Sequence, residues 1–289
     1  MDVEMKLLPV FYDQQMICDV KSFSPSAAKP KAVIDSWLKD RMPIALRAVS
    51  PASNEILKLA HAESYVDGVF AGRELNGFGT REPIVAETCR YTVGAMIDAT
   101  REAISNGKVA IAPVAGFHHA GYADAFGYCT FNGLVIAALV MKREGLANRV
   151  AILDLDVHEG DGTKEIIEKL GLDNFIVHHS LGYAVNPVPE NADIYLSLLP
   201  SVIDSMKQCD VVLYQASADP HVDDPLGGFL TTEQLRERDR IVFESCSRMG
   251  LPVAWNIAGG YQKDDDGGIS KILQLHHATL EECIANFVD

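Results

Sequence analysis

Five short apolar runs recur along the chain, at 108–114, 149–154, 175–179, 210–215 and 252–257, and each ends in polar residues. Runs of this length, apolar on both sides, read as strands buried on both faces of a sheet. Between them lie longer stretches with apolar residues at helical spacing, at 87–105, 132–144, 164–169 and 232–248. The segments 32–39 and 269–277 carry the same pattern, the first preceded by a Pro- and Ser-containing loop at 22–31. Strands alternating with helices predict an α/β fold of three layers, α/β/α, around a mostly parallel central sheet. Neither linker nor repeat interrupts the pattern, so residues 1–289 are expected to form a single domain.

The polar ends of these strands carry the chemistry. The sequence Asp154-Leu-Asp156-Val-His158-Glu-Gly160-Asp161-Gly162-Thr163 follows the strand at 149–154. Alternate residues of an extended chain point the same way, so Asp156 and His158 can converge. A carboxylate and an imidazole aimed at one point suggest a metal ion. Ordinary acidic solvation is the alternative, but four polar groups at the tip of an apolar strand are costly without a purpose. The strand at 108–114 leads to His118-His119, which as a bare pair reads as metal ligands, as an acid/base pair or as loop residues. The strands at 175–179, 210–215 and 252–257 deliver Ser180, Ala216-Ser-Ala-Asp219 and Ala258-Gly259-Gly260-Tyr261. Open parallel sheets place their sites outside the carboxyl ends of the strands, so one shared site is expected.

In this order, His-His, Asp-x-Asp-x-His-x-Gly-Asp-Gly-Thr, Ala-Asp, Asp-Pro-Leu-Gly and Gly-Gly-Tyr, the chain resembles the histone deacetylase family of the arginase–deacetylase fold. Gly127-Tyr-Cys-Thr-Phe-Asn132 adds to the likeness, which runs from about residue 60 onward. The resemblance implies one catalytic domain with Zn2+ on Asp156, His158 and Asp219, an open position being left for water and substrate. It assigns the tandem acid/base pair to His118 and His119, their orienting carboxylates to Asp154 and Asp161, and the oxyanion donor to Tyr261. A structural K+ site is implied at Asp154, Asp156, His158, Ser180 and Leu181. Fe2+ or Co2+ also suits this ligand set. The implied reaction is hydrolysis of an N-acyl amide, with acetyl-lysine in a protein or peptide the expected substrate. An acetylpolyamine or another small acylated amine is the alternative. An inactive acyl-lysine-binding module is disfavoured, because neither a ligand nor the tyrosine is lost. A two-manganese ureohydrolase is disfavoured as well, because no carboxylate follows His158 at the second position.

Several positions depart from the family pattern. Gly127-Tyr128 falls at an aromatic wall of the acyl-lysine tunnel where Phe is usual, and the facing wall is expected within 182–188. Glu159 stands where many relatives carry a second His, and Ala258 where they carry Gly. Leu226 occupies the place of the acidic gatekeeper of polyamine-selective relatives, and Arg81 aligns loosely with an acidic rim residue. Trimmed loops and an open mouth are expected. His221 is a candidate for the site mouth, as is the Asp264–Asp266 run for its rim. At least one of His178 and His179 reads as a satisfied core histidine, and His276-His277 as part of an amphipathic helix.

Composition refines the picture. The formal net charge is −15, which disfavours direct nucleic-acid binding and suits cationic substrates. No apolar run is long enough to span a membrane. The N-terminal residues lack a signal-peptide pattern, and six scattered cysteines suit reduced thiols, so a cytoplasmic location is expected. Oligomeric state is not encoded in any of these features.

Overall fold

The computed structural model of the chain describes residues 7–288; residues 1–6, where a signal pattern was sought, lie outside them. In chain order the elements are β1 (Leu8–Phe11), α1 (Lys29–Lys39), β2 (Ile44–Arg47), α2 (Asn54–Leu57), α3 (Glu63–Phe70), α4 (Pro83–Asn106), β3 (Val109–Ala112), α5 (Gly133–Arg143), β4 (Val150–Asp154), α6 (Asp161–Leu170), β5 (Ile176–Ser180), α7 (Leu181–Ala184), α8 (Ala192–Asp204), β6 (Val211–Gln215), α9 (Thr232–Met249), β7 (Val253–Asn256) and α10 (Ser270–Phe287). Seven strands pair in the order β2-β1-β3-β7-β6-β4-β5, and all six pairings are parallel.

Period-2 alternation divides the strand residues between two cores. Ala151, Leu153, Val212, Tyr214, Val253 and Trp255 face α1, α8, α9 and α10. Ala110, Ala112, Val150, Ile152, Leu213 and Ala254 face α3, α4, α5 and α6. The alanines of β3 and β7 leave room for α4, which is itself rich in buried Gly and Ala. Helix ends follow capping chemistry. Thr231 and Gln234 form a reciprocal capping box at the start of α9, and Gly250 ends that helix in the left-handed conformation. Asn132 caps α5 by accepting from the Val135 amide.

The five expected strands and six expected helices are present, with ends shifted by a few residues and α10 extended. Two strands, β1 and β2, and four helices, α2, α3, α7 and α8, add to the expectation. β1 contains Pro9, and β2 is a half-exposed edge strand; neither is an uninterrupted apolar run. Pro200 lies inside α8, a position that normally breaks a helix. Among the described residues no helix is long and apolar enough to cross a membrane. All six cysteines are free.

Candidate active site

The carboxyl ends of β3, β4, β6 and β7, adjacent in the sheet, open on one side of it. Asp154 closes β4, and beyond it the chain leaves the sheet with Asp156 buried and His158 half-buried. Asp219 follows β6 and is fully buried. Donor atoms of Asp156, His158 and Asp219 all lie within 4.8 Å of one another. His158 Nδ1 lies 2.9 Å from Asp156 Oδ1 and 3.2 Å from Asp219 Oδ2. Its other ring nitrogen, Nε2–H, donates to the Leu226 carbonyl at 3.0 Å, which leaves Nδ1 free to act as a ligand.

Further hydrogen bonds hold the carboxylates in place. Asp156 Oδ1 accepts from the His158 amide at 3.0 Å. Asp219 Oδ1 accepts from the Val157 amide at 3.2 Å. The Ser217 hydroxyl sits 2.7 Å from both Asp156 Oδ2 and Asp219 Oδ1, and donates to one at a time. Asp219 Oδ2 is buried without a hydrogen-bond partner. A lone carboxylate oxygen facing an imidazole nitrogen in a dry pocket is what a divalent cation would satisfy. The three residues therefore fit such an ion. The electrostatics agree: burial and the neighbouring Asp156 raise Asp219 to about 6. Burial opposes the charge on His158, but the adjacent Asp156 and Asp219 carboxylates outweigh it and raise His158 to about 11. A cation among them removes both conflicts.

Two histidine–carboxylate pairs stand beside the triad. His118 Nδ1–H donates to Asp154 Oδ2 at 2.8 Å, with both groups buried. His119 Nδ1–H donates to Asp161 Oδ1 at 2.7 Å, where the carboxylate is half in solvent. The imidazole centroids are 4.1 Å apart. Each Nδ1–H is thus engaged, so Nε2 is the atom of each ring left to exchange a proton. The environments push the pair apart. For His118 burial is outweighed by Asp154 and Asp156, which raise it to about 9. For His119 burial and the neighbouring His118 lower it. Asp154 is fixed in turn by Gln215 Nε2 at 2.8 Å and by its register opposite Ser180.

Tyr261 lies across from the histidines, its ring centroid 6.5 Å from that of His158 and 5.8 Å from that of Tyr128. The turn that presents it needs glycine: Gly259 has φ +49, and a Cβ there would strike Ser217 Oγ and the Asp219 carboxylate. Ala258 is not among the positive-φ residues, so its methyl is tolerated. The Tyr261 amide donates to Asp224 Oδ2 at 2.8 Å. Burial, then Asp219 and Asp156, push the phenol pKa up and keep it a proton donor. Beneath this turn the buried Lys29 ammonium donates to the Gly259 carbonyl, and burial lowers that amine to about 8.

A cavity of about 560 Å³ opens over His119, His158 and Tyr261. Gly127 and Tyr128 both have positive φ and form the tight turn that projects the Tyr128 ring. Phe78 packs against Tyr128 at 5.8 Å between centroids. Phe126, 66% exposed, packs edge-on to His119, and Leu226 is 43% exposed. The mouth is therefore open and apolar.

Several expected residues lie elsewhere. The segment 182–188 does not face Tyr128. After Ser180 the chain coils into α7, with Gly182 pressed against the backbone of His158, and Tyr183 lines a separate groove with Lys164, His178 and His179. Phe78 and Phe126, from loops without a strand or helix pattern, line the cavity beside Tyr128. His221 is buried and bonds Thr232 Oγ1 and Gln262, away from the mouth. Neither His178 nor His179 is satisfied: the buried Nε2 of each lacks a partner. His276 is buried in α10. Arg81 is exposed and donates to the Arg73 carbonyl. Asp264 accepts from the Ser270 amide at the start of α10. Glu159 points to solvent as expected. Gln215, Ser217, Asp224 and Lys29 were given no role from the sequence: Ser217 and Asp224 lie inside quoted motifs, but their partners come from other elements, and no motif contains Gln215 or Lys29.

A family model described as the histone deacetylase domain matches residues 26–188. The chain belongs to the histone deacetylase family. An uncharacterised protein of Picosynechococcus sp. is 32% identical over 249 residues, covering 78% of this chain and 81% of that protein. Histone deacetylase 6 of Caenorhabditis elegans is 26% identical over 260 residues, covering 73% of this chain and 27% of that protein. The crystal structure of the HDA15 HD domain superposes with a TM-score of 0.76 at 21% identity, over 96% of this chain and 90% of that one. An acetylpolyamine aminohydrolase from Burkholderia pseudomallei gives 0.75 at 14% identity, over 96% and 99%. The fold is that of the arginase–deacetylase proteins, and family membership makes the chain an amidohydrolase of the deacetylase type.

Proposed function

We propose that the protein, as one catalytic domain, is a zinc-dependent deacylase that releases the acyl group from acetyl-lysine in a peptide or protein. The observation that carries this reading is the convergence of Asp156, His158 and Asp219 beside two histidine–carboxylate pairs and a buried tyrosine. The ligands Asp156, His158 Nδ1 and Asp219 would hold Zn2+, or Fe2+ or Co2+ in its place. The ion would polarise the amide carbonyl and acidify water. The His118–His119 pair removes the proton of the attacking water and returns one to the leaving amine. Asp154 and Asp161 hold the Nδ1–H of each ring, so that Nε2 does this work. Tyr261 donates its O–H to the oxygen that gains charge as the carbonyl carbon becomes tetrahedral. Tyr128 flanks the lysine methylenes, and its hydroxyl narrows the passage relative to Phe. The carbonyls of Asp154, Asp156, His158 and Leu181, with side-chain oxygens of Asp154 and Ser180, would hold K+; the register of Asp154 opposite Ser180 supports that placement.

The acetylpolyamine reading has one argument against it. None of the side chains lining the cavity over the triad is acidic, and Leu226 stands at the mouth. A second ammonium entering there finds no partner, and burying it unpaired is costly. A cytoplasmic location accords with six free thiols.

Turnover of acyl-lysine peptides, acetylpolyamines and simple acetamides by metal-loaded protein tests the reading. Chelation should abolish activity and zinc restore it, and Asp219→Ala should lose metal and activity together. Full activity in thoroughly metal-free protein would refute the metal role. A preference of tenfold or more for acetylpolyamines, about 1.4 kcal/mol in transition-state binding, would replace lysine with polyamine as the substrate class.

A further inference from the structure

The run Arg236-Glu-Arg238-Asp239-Arg240 in α9 reads as a solvated helix face. Arg236 and Arg240 behave so, pairing with glutamates at the surface. Arg238 and Asp239 do not: they are 0% and 1% exposed. The Arg238 guanidinium lies under the site and faces two backbone carbonyls. Nη1–H donates to the Ser217 carbonyl at 2.7 Å and to the Leu155 carbonyl at 3.3 Å. Leu155 separates Asp154 from Asp156, and Ser217 lies two residues before Asp219. Ser217 also presents the hydroxyl that reaches both carboxylates.

The fork is itself fixed. Nε–H donates to Asp239 Oδ1 at 2.9 Å, and Nη2 lies 2.8 Å from the same oxygen. Asp239 accepts in addition from the Tyr214 hydroxyl on β6 and from Thr279 Oγ1 on α10, the latter at 2.6 Å. A planar guanidinium held at its Nε side has no freedom to follow one carbonyl away from the other. A buried ion pair is worth little more to stability than an apolar pair of the same volume. Stability alone therefore does not account for one aimed at these two loops.

We propose that Arg238, braced by Asp239, Tyr214 and Thr279, is a positioning residue that sets the separation of the Asp156 and Asp219 loops and thereby the affinity for the divalent ion. The inference rests on the reading of Asp156, His158 and Asp219 as metal ligands. It acts through the backbone and touches neither ion nor substrate.

The test measures zinc dissociation constants by competition with a chromogenic chelator, alongside melting curves of the metal-free protein. Arg238→Lys keeps the charge but loses the planar fork and the Nε–H that Asp239 braces, and should weaken zinc by about tenfold or more, the scale seen for groups that orient metal ligands. Tyr214→Phe and Thr279→Val loosen Asp239 without touching either loop, and should weaken zinc by a smaller factor in the same direction. They carry the test if Arg238→Lys does not fold. Val140→Ala, in the opposite core, is the control: it should lower the melting temperature and leave zinc affinity unchanged. Zinc affinities of the folded network variants within twofold of wild type would overturn the proposal, as would a loss matched by Val140→Ala. Failure of the wild type to bind zinc would instead overturn the metal reading on which it rests.

Discussion

At the residue scale, small groups of atoms decide how the site works. Leu226 fixes the His158 tautomer through its carbonyl while its side chain forms the apolar mouth. The two roles separate under mutation: Leu226→Glu retains the carbonyl and adds a carboxylate. Its kcat/KM ratio should shift from acetyl-lysine peptides toward N-acetylated diamines, with the metal content unchanged; an unchanged ratio would place the second amine of such substrates elsewhere. Tyr261 is held by its amide on Asp224 and by ring contacts, and among the described residues its hydroxyl has no hydrogen-bond partner. Tyr261→Phe should therefore keep the fold and the metal while lowering kcat by roughly 10²–10³, the usual loss of one oxyanion donor. An unaltered kcat would show that the phenol does not face the reaction.

At the element scale, the strand ends are tied together by groups outside the motifs. His61 Nδ1–H donates to the Gly121 carbonyl at 2.8 Å, and its Nε2 accepts from the Asn132 amide at 2.9 Å. It thus joins the loop after His118-His119 to the cap of α5, and only the neutral ring can do both. Burial lowers its pKa from 6.5 to about 4. Between those values the unfolded chain binds a proton that the folded chain refuses, so stability falls as pH falls. The contribution is complete above about pH 6.5 and is lost on the way down to about pH 4, on the order of 3–4 kcal/mol at about 1.4 kcal/mol per unit. His61→Gln should flatten that part of the melting temperature–pH curve relative to wild type. Parallel curves for the two proteins would remove His61 as a source of acid sensitivity.

At the scale of the whole molecule, buried acidic groups meet at one edge of an all-parallel sheet in a chain of net charge −15. Asp154, Asp156 and Asp219 are each at most 2% exposed, and a bound cation would relieve their repulsion in the native state alone. At a zinc concentration about a hundredfold over the dissociation constant, binding stabilises by about 2.7 kcal/mol. For a chain of this size, at about 2 °C per kcal/mol, the melting temperature should rise by roughly 5 °C. Calorimetry with and without chelator measures this, and Asp219→Ala should abolish the difference. Equal melting temperatures for loaded and stripped wild type would deny the ion a place in the folded state.

The same scales separate what was legible in the sequence from what was not. The central strands, the long helices and the side chains delivered at strand ends follow from period and order. Apolar runs buried on both faces admit no other placement, and a parallel sheet brings their carboxyl ends together. The Asp156, His158 and Asp219 grouping, the His118–Asp154 and His119–Asp161 pairs and the turn before Tyr261 were legible for that reason. Contacts between elements distant in sequence were not. Nothing local tells Arg238 from its exposed neighbours, or Lys29 from any other lysine in a first helical turn. Their burial depends on which face of α9 and which end of α1 the sheet covers. The wall opposite Tyr128 was misplaced because the path of a loop is set by close packing, such as Gly182 against His158, and not by pattern. The sequence by itself determined the layers and the chemistry at the strand ends; tertiary packing alone decided the braces beneath that chemistry and the shape of the mouth above it, because both depend on distances across the sheet that no local rule contains.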